Sequence, residues 1–152
     1  MIIIGYQGIG KSTLANKNLK YIDLESGNFW VDGKRDEKWY KYYCNIAEHL
    51  SNQGYIVFVS SHQVVRDELK NRQIQAKCCV PSLKLKNEWI TKLENRFKFS
   101  NLDKDYKALM NAKDRYIENI TEIIESGFDT IIIDNINYNL EELISQEINN
   151  AE

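Results

Sequence analysis

The feature that most constrains the fold is the stretch GYQGIGKS at residues 5–12, which matches G-x-x-x-x-G-K-[ST] at every fixed position. The apolar residues 1–4 precede it and predict a buried strand, and residues 11–19 predict a helix. A strand, a glycine-rich turn and a helix in this order form a loop whose backbone N–H groups can surround a phosphate, aided by the helix dipole. The sequence therefore predicts a phosphate-binding loop in an α/β fold.

Further strands and helices alternate along the chain. Short apolar or β-branched runs predict strands at residues 1–4, 21–24, 55–59, 76–80 and 130–134. Three- and four-residue apolar spacing predicts helices at 36–52, 62–71, 82–98, about 106–126 and 139–148, and residues 26–35 a loop. This alternation predicts one domain over residues 1–152, a parallel sheet covered by helices on both faces.

The apolar pattern also predicts which residues face the core. The strand at 130–134 is almost wholly apolar, which favours a central position in the sheet. In the helix at 36–52 the predicted inward residues are Trp39, Tyr42, Tyr43, Ile46 and Leu50. In the helix at 62–71 they are Val64, Val65 and Leu69. In the long helix they are Tyr106, Leu109, Met110, Ile117, Ile120 and Ile124.

Composition and charge exclude several classes of function. The net charge of −2 argues against a duplex nucleic acid as partner. No apolar run is long enough to span a membrane, so no membrane is expected as a partner. Three cysteines without a C-x-x-C pair, and an N-terminus unlike a signal peptide, predict reduced thiols and a cytoplasmic location, in a bacterium or a phage-infected host. Residues 70–98 carry eight basic and two acidic side chains, which predicts an anion-attracting surface there.

Each residue of the loop has a chemical role in binding ATP and Mg²⁺. The backbone of Gly8, Ile9 and Gly10 can surround the phosphates. The amine of Lys11 can reach the β- and γ-phosphates, and the hydroxyl of Ser12 can bind Mg²⁺. The predicted cofactors are therefore ATP and Mg²⁺.

Polar residues also follow the second and third predicted strands, where ligands of open parallel sheets bind. Asp23 and Glu25 come after the second strand, and Asp23 can hold Mg²⁺ or orient an acceptor hydroxyl. Ser61 and His62 follow the third strand, and Arg66, about one helical turn further on, can bind a phosphate through two hydrogen bonds.

The helix at 82–98 is rich in lysine, which is typical either of a solvated face or of a lid that brings positive charge to a phosphoryl group. Arg96 is its best candidate for such a role, whereas Trp89, Leu93 and Phe97 are expected in the core.

At these residues the chain resembles the P-loop small kinases, especially the phage-type deoxynucleoside monophosphate kinase-like group. The matching stretches are GYQGIGKST at 5–13, DLESGNF at 23–29, VFVSSHQVVRDEL at 57–69 and VPSLKLKNEW at 80–89, within about residues 1–100. The resemblance implies a P-loop NTPase fold, a three-layer α/β/α sandwich whose five-stranded parallel sheet has the order 2-3-1-4-5.

The resemblance also implies roles for individual residues. Gly8, Ile9, Gly10, Lys11, Ser12 and Thr13 would hold the donor phosphates, and Asn135 and Asn137 would lie near the donor base. Asp23, Ser26, Phe29, Ser61, His62 and Arg66 would face the acceptor, with Arg66 on its phosphate. The Asp-Gly-hydrophobic-Pro-Arg stretch of adenylate kinases is absent here and Ser60-Ser61-His62 stands in its place, so the acceptor stays open. The guanine-recognition pattern Asn-Lys-x-Asp is also absent, which favours ATP over GTP.

Three functions remain compatible with these residues. The first is an ATP-dependent kinase whose acceptor is a nucleoside monophosphate. The second is a kinase for a hydroxyl acceptor, a small metabolite or a polynucleotide 5′ end, with Asp23 as base. The third is a non-catalytic ATP-binding module that controls a partner.

Overall fold

A computed structural model describes all residues of the chain, 1–152. Its five strands are β1 (Ile2–Gly5), β2 (Tyr21–Asp23), β3 (Ile56–Ser60), β4 (Ala76–Pro81) and β5 (Asp129–Ile133). They form one parallel sheet in the order β2-β3-β1-β4-β5, flanked by helices. The predicted number, direction and order of the strands are confirmed.

Six α-helices connect the strands or follow them. They are α1 (Lys11–Lys17), α2 (Trp39–Asn52), α3 (Gln63–Asn71), α4 (Lys86–Ser100), α5 (Asp103–Glu125) and α6 (Leu140–Ala151). Short 3₁₀ turns at Ser26–Phe29 and Leu83–Leu85 come before α2 and α4. The basic helix predicted at 82–98 therefore begins four residues later than expected. None of the helices has the length and apolar character needed to cross a membrane.

The chain packs as two compact units. The first, called the N-terminal unit, consists of Met1–Gly5 and Gly10–Cys78. The second, called the C-terminal unit, consists of Tyr6–Ile9 and Cys79–Glu152. The glycine-rich loop is thus divided by its contacts, with residues 6–9 packed in one unit and residues 10–13 in the other.

The core of the N-terminal unit is built on β1 and β3, which pair in parallel with Ile4 opposite Val59. Every residue of β1 is buried because both faces of this strand are covered, as its continuous apolar run predicts. In the C-terminal unit, the buried side chains of Trp89 and Leu93 on α4 and Ile120 on α5 form the corresponding core. The core role predicted for Trp89 and Leu93 is confirmed. All three cysteines are buried, and they form no disulfide.

The central position predicted for the last strand is wrong. β5 lies at an edge of the sheet, next to β4 only, and Ile132 is 38% exposed. An apolar run can serve an edge strand when one of its faces is packed, as Ile131 and Ile133 are here. Composition alone does not distinguish this case from a central strand.

The predicted inward faces of three helices are partly wrong. In α2, Tyr42 and Ile46 are exposed, whereas Cys44 and Ala47 are buried beside Trp39 and Tyr43. Val64 of α3 is also exposed. In α5, Arg115 has a non-helical φ of −137°, which kinks the helix and rotates the inward face of its second half. In this second half Ile117 and Ile124 are exposed, and Tyr116 and Ile123 are buried instead. In the first half Tyr106 is also exposed, and Ala112 is buried.

Candidate functional site

In the N-terminal unit, three strand ends bring the predicted site residues to one edge of the sheet. The parallel register places Gly5 at the end of β1 opposite Ser60 at the end of β3. Asp23 at the end of β2 lies opposite Phe58 of the same β3 strand. The start of the glycine-rich loop, Asp23 and Ser60 therefore occupy neighbouring carboxyl ends, where ligands of parallel sheets bind.

Lys11 begins α1 directly after Gly10, whose φ of 102° is a left-handed conformation that a glycine adopts readily. The Nζ atom of Lys11 donates a hydrogen bond to the carbonyl oxygen of Gly5 at 3.1 Å, so its side chain folds back along the loop. The next two residues, Ser12 and Thr13, are exposed in the first turn of α1. Lys11 therefore brings a full positive charge to the start of α1.

Lys11 belongs to a group of positive side chains within the N-terminal unit. Desolvation by the surrounding protein, followed by the charges of Arg35 and Lys11, lowers the pKa of His62 below its ordinary value. The guanidinium of Arg35 lies over the Trp39 ring, 4.0 Å from its centroid, and the His62 ring meets Trp39 edge to face at 5.7 Å. Lys11 and Arg35 therefore form a cationic cluster near His62, and their charges, together with burial, disfavour the protonated form of its ring.

Hydrogen bonds to Ser60 orient the ring of His62. The Nδ1 atom of His62 lies 2.5 Å from the hydroxyl oxygen of Ser60, and the backbone N–H of His62 points to the same oxygen at 3.4 Å. If that oxygen accepts from the backbone, its own proton goes to Nδ1, which leaves the proton of the neutral ring on Nε2. The ring then presents an N–H donor on its outer side.

Tyr43 ties the ends of β2 and β3 together. Its hydroxyl donates to the carbonyl oxygen of Leu24 at 2.6 Å and accepts from the backbone N–H of Ser60 at 2.8 Å. Burial raises the pKa of Tyr43 far above its ordinary value, and the negative charges of Asp23 and Glu25 add to the rise. The two carboxylates predicted after β2 therefore act on the same tyrosine that holds the end of β3.

The remaining predicted acceptor residues also belong to this unit. Arg66 is 7% exposed, and its Nε atom donates to the carbonyl oxygen of Ser61 at 3.0 Å, directly after β3. Ser26 and Phe29 lie in the 3₁₀ turn after β2. The Phe29 ring packs against Tyr43, with ring centroids 5.6 Å apart, so this side chain supports the aromatic cluster.

Sequence reasoning missed two residues here. Arg35 was placed in a loop without a role, and Trp39 was assigned to the core alone. The spacing of Trp30, Arg35 and Trp39 was the available signal, because an arginine with aromatic neighbours often stacks on them.

In the C-terminal unit, the loop residues 6–9 are held by hydrogen bonds from several elements. The N–H of Tyr6 donates to the carbonyl oxygen of Cys79 at 3.0 Å. The indole Nε1 of Trp89 donates to the carbonyl oxygen of Gln7 at 3.0 Å, and the hydroxyl of Tyr138 donates to that of Ile9 at 2.7 Å. The motif leaves these loop positions unspecified, so the sequence contains no hint of their partners.

Lys92 on α4 completes this arrangement. Its amine donates to the hydroxyl oxygen of Tyr138 at 2.8 Å and lies over the Trp89 ring, 4.4 Å from the centroid. Burial, together with the positive charge of Arg96, lowers the pKa of Lys92 to about 8. Lys92 also lines an open cavity of about 650 Å³, whose other lining residues are Asn87, Glu88, Thr91, Asn95 and Ile136.

The other predicted residues of this unit have partners of their own. Arg96 pairs through Nε with an oxygen of Asp105 at 2.8 Å, and Asp105 is only 3% exposed. The side-chain oxygen of Asn135 accepts from the backbone N–H of Asn137 at 2.8 Å, which closes the turn after β5. Both asparagines are exposed.

The oxygen donors near the loop fit a magnesium ion bound with a nucleotide. No three His, Cys, Asp or Glu side chains come together in a group that could hold a metal ion. Mg²⁺ usually has only one or two protein ligands in nucleotide sites, the rest being phosphate oxygens and waters. The exposed hydroxyl of Ser12 and the half-buried carboxylate of Asp23 are hard oxygen ligands of that kind.

Comparison with known proteins does not assign a family. None of the protein-family models matches this chain, and no curated protein is significantly similar to it. The function is therefore inferred from the chain's own residues and their geometry.

Proposed function

We propose that this protein is an ATP- and Mg²⁺-dependent phosphotransferase of the P-loop kinase class that transfers the γ-phosphoryl group of ATP to a nucleoside monophosphate. The observation that carries the proposal is the geometry of three neighbouring strand ends in the N-terminal unit, where Gly5, Asp23 and Ser60 lie at one edge of the sheet. The side chain of Lys11, the lysine of the G-x-x-x-x-G-K-[ST] motif, folds back onto the first of these ends, at the carbonyl oxygen of Gly5.

Phosphoryl transfer between two anionic nucleotides needs positive charge and positioning more than it needs a strong base. Lys11 would contact the β- and γ-phosphates and stabilise the charge of the transferring group. Ser12 and Asp23 would hold Mg²⁺, which neutralises phosphate charge when it is bound. Thr13 and the loop N–H groups would complete the donor site.

The number of positive groups favours an anionic acceptor. In addition to Lys11, the N-terminal unit holds Arg35 and the nearly buried Arg66, and the neutral ring of His62 can donate through Nε2. A neutral small metabolite with a hydroxyl group would offer these cations no phosphate to bind. A nucleoside monophosphate brings a phosphate group that these cations can bind.

The test is a product analysis with γ-labelled ATP, Mg²⁺ and a panel of acceptors. The panel contains the four deoxynucleoside monophosphates, the ribonucleoside monophosphates, nucleosides and oligonucleotides with a free 5′ hydroxyl. We expect label in a nucleoside diphosphate, and no label above background with the Lys11→Ala variant. Label in a nucleoside or an oligonucleotide would instead establish the hydroxyl-kinase function. A lack of transfer to any acceptor, with ATP still bound, would leave the non-catalytic binding module.

A further inference from the structure

The loop residues 6–9 are held in the C-terminal unit by two side-chain donors of the same kind. Trp89 comes from α4 and Tyr138 from the segment after β5, and each donates to a loop carbonyl oxygen at 3.0 and 2.7 Å respectively. The two rings are stacked on each other with centroids 6.0 Å apart. They therefore form one rigid pair that binds two alternate peptide groups of the loop.

The planarity of the peptide group determines what this pair does to the loop. In a trans peptide the C=O of one residue and the N–H of the next point in opposite directions. Because Trp89 holds the carbonyl oxygen of Gln7, the N–H of Gly8 points away from Trp89. By the same reasoning, the N–H of Gly10 points away from Tyr138, which holds the carbonyl oxygen of Ile9.

Two further observations concern the packing around Gly8 and the direction of the Tyr138 hydrogen bond. A Cβ atom built on Gly8 would lie 2.9 Å from a methyl carbon of Leu93 and 3.3 Å from the Nε1 atom of Trp89. Lys92 donates to the Tyr138 oxygen at 2.8 Å, and an ammonium group has no acceptor, so the tyrosine proton is left for Ile9. The direction of the Tyr138 hydrogen bond is therefore set by its neighbour.

We propose that Trp89 and Tyr138 are positioning residues of the phosphate-binding loop, which hold its carbonyl groups on one side so that the N–H groups of Gly8 and Gly10 are preorganised for phosphate. This inference rests on the proposed phosphate-binding function. A loop that is already ordered loses less conformational entropy on binding, so the pair raises the affinity for the nucleotide. On this account α4 supports the loop through its buried face.

The decisive variant is Tyr138→Phe, which removes the hydroxyl and keeps the ring. Its matched control is Tyr116→Phe, because the hydroxyl of Tyr116 donates to the carbonyl oxygen of Ser82 at 2.9 Å, outside the loop. Both changes remove one hydroxyl-to-carbonyl hydrogen bond from the same unit, and Tyr138→Phe also removes the acceptor of the Lys92 amine. Only Tyr138→Phe releases a loop peptide.

The experiment measures binding of Mg-ATP and of magnesium pyrophosphate by calorimetry, with thermal unfolding of the unliganded proteins as a second reading. We expect Tyr138→Phe to bind both ligands about 3- to 10-fold more weakly than the wild type, the effect of one neutral hydrogen bond. Tyr116→Phe should bind within about 2-fold of the wild type, although both variants lose thermal stability. Trp89→Phe, a second variant that removes the other donor, should weaken binding in the same direction.

The outcomes separate the two proposals. Equal affinities of Tyr138→Phe and Tyr116→Phe would overturn the positioning role while leaving the proposed function intact. Binding that follows the expected pattern, without phosphoryl transfer to any acceptor, would remove the kinase function and keep the positioning role. A wild-type protein that binds neither ligand would overturn both.

Discussion

The two parts of the glycine-rich loop differ in which of their groups the structure holds in place. Residues 6–9 are held through their backbone, since the structure gives a partner to the N–H of Tyr6 and to the carbonyl groups of Gln7 and Ile9. Residues 10–13 instead carry the side chains that the proposed function uses, with Lys11 half-buried and Ser12 and Thr13 exposed. On the proposed function, substitutions in the first part should weaken nucleotide binding, and substitutions in the second part should lower turnover.

The largest effect is expected in the second part, from Lys11→Ala. Removing the charge that contacts the transferring phosphoryl group should lower kcat about 10²- to 10³-fold. Circular dichroism and thermal unfolding should remain close to the wild type, because the hydrogen bond of the Lys11 amine to the Gly5 carbonyl is only partly buried. Turnover near the wild-type rate in the folded variant would contradict the assignment of this loop.

Asp23→Asn comes next and distinguishes the two kinds of acceptor. If Asp23 helps to hold Mg²⁺, the variant should lose about 10- to 100-fold in activity, as for a hydrogen bond to a charged group. Added Mg²⁺ should then recover part of this activity. If Asp23 instead accepts a proton from a hydroxyl, the loss should be about 10²- to 10⁴-fold and independent of Mg²⁺. A magnesium titration of the variant with the best acceptor provides the measurement. We expect partial recovery.

Gly8→Ala tests the part of the loop that is held through its backbone, residues 6–9. Gly8 has a φ of +86°, where a side chain costs roughly 1–2 kcal/mol, and the added methyl group would also crowd Leu93 and Trp89. Gly54→Ala is the matched control, because Gly54 has a φ of +93° and nothing within 4 Å of an added Cβ. Urea unfolding should show a larger loss for Gly8→Ala, and only this variant should also bind Mg-ATP more weakly. Equal losses of stability in the two variants would contradict the expected crowding of Leu93 and Trp89 by a side chain at position 8.

Arg96→Gln tests whether the basic helix acts as a lid or as a support. Arg96 is bound to the buried carboxylate of Asp105, which also accepts from the Ser100 hydroxyl at 2.5 Å. Because Arg96 is partly exposed, we expect a stability loss of only about 1–2 kcal/mol, with kcat lowered less than 10-fold. Unfolding and steady-state kinetics on the same preparation give both numbers. A large fall in kcat with unchanged stability would restore the lid role predicted from the sequence.

The smallest effect concerns His62 and the dependence of stability on pH. Its pKa is lowered in the folded state, so below an unfolded value of about 6.5 the unfolded chain binds more protons, and stability falls as the pH falls. His62→Gln should therefore reduce the loss of unfolding free energy between pH 7 and pH 5. Urea unfolding at several pH values gives the slopes, and an unchanged slope in the variant would contradict the cationic cluster. In proton NMR, ATP should raise the pKa of His62, because the negative charge of its phosphates offsets the positive charge of Lys11 and Arg35.

The sequence was sufficient for the overall topology and for part of the site. Alternating apolar runs and helical spacing predicted five parallel strands, the resemblance to P-loop kinases implied their order, and the position of Asp23 at a strand end predicted that it would lie near the loop. The last strand was misplaced because an apolar run does not reveal whether one face or two are covered. The second half of α5 was predicted with the wrong face because helical periodicity assumes an unbroken helix, and Arg115 breaks it.

Long-range hydrogen bonds account for most of what the sequence could not predict about the site. Trp89 is 82 positions from Gln7 and Tyr138 is 129 positions from Ile9, so no local pattern connects either pair. Arg35 was overlooked for a similar reason, because its stacking on Trp39 depends on how residues 30–38 turn back toward α2. Motifs identify residues that touch a ligand more readily than residues that hold the ligand-binding backbone in shape.

The central claim is that this protein moves a phosphoryl group from ATP to a nucleotide. It is tested most directly by phosphorus NMR of the wild-type protein with Mg-ATP and the best nucleoside monophosphate of the panel. We predict that the γ-phosphate signal of ATP disappears while the paired α- and β-phosphate signals of a nucleoside diphosphate appear from the acceptor, with no matching rise in inorganic phosphate. An unchanged spectrum, or a rise in inorganic phosphate with the monophosphate signal intact, would contradict it.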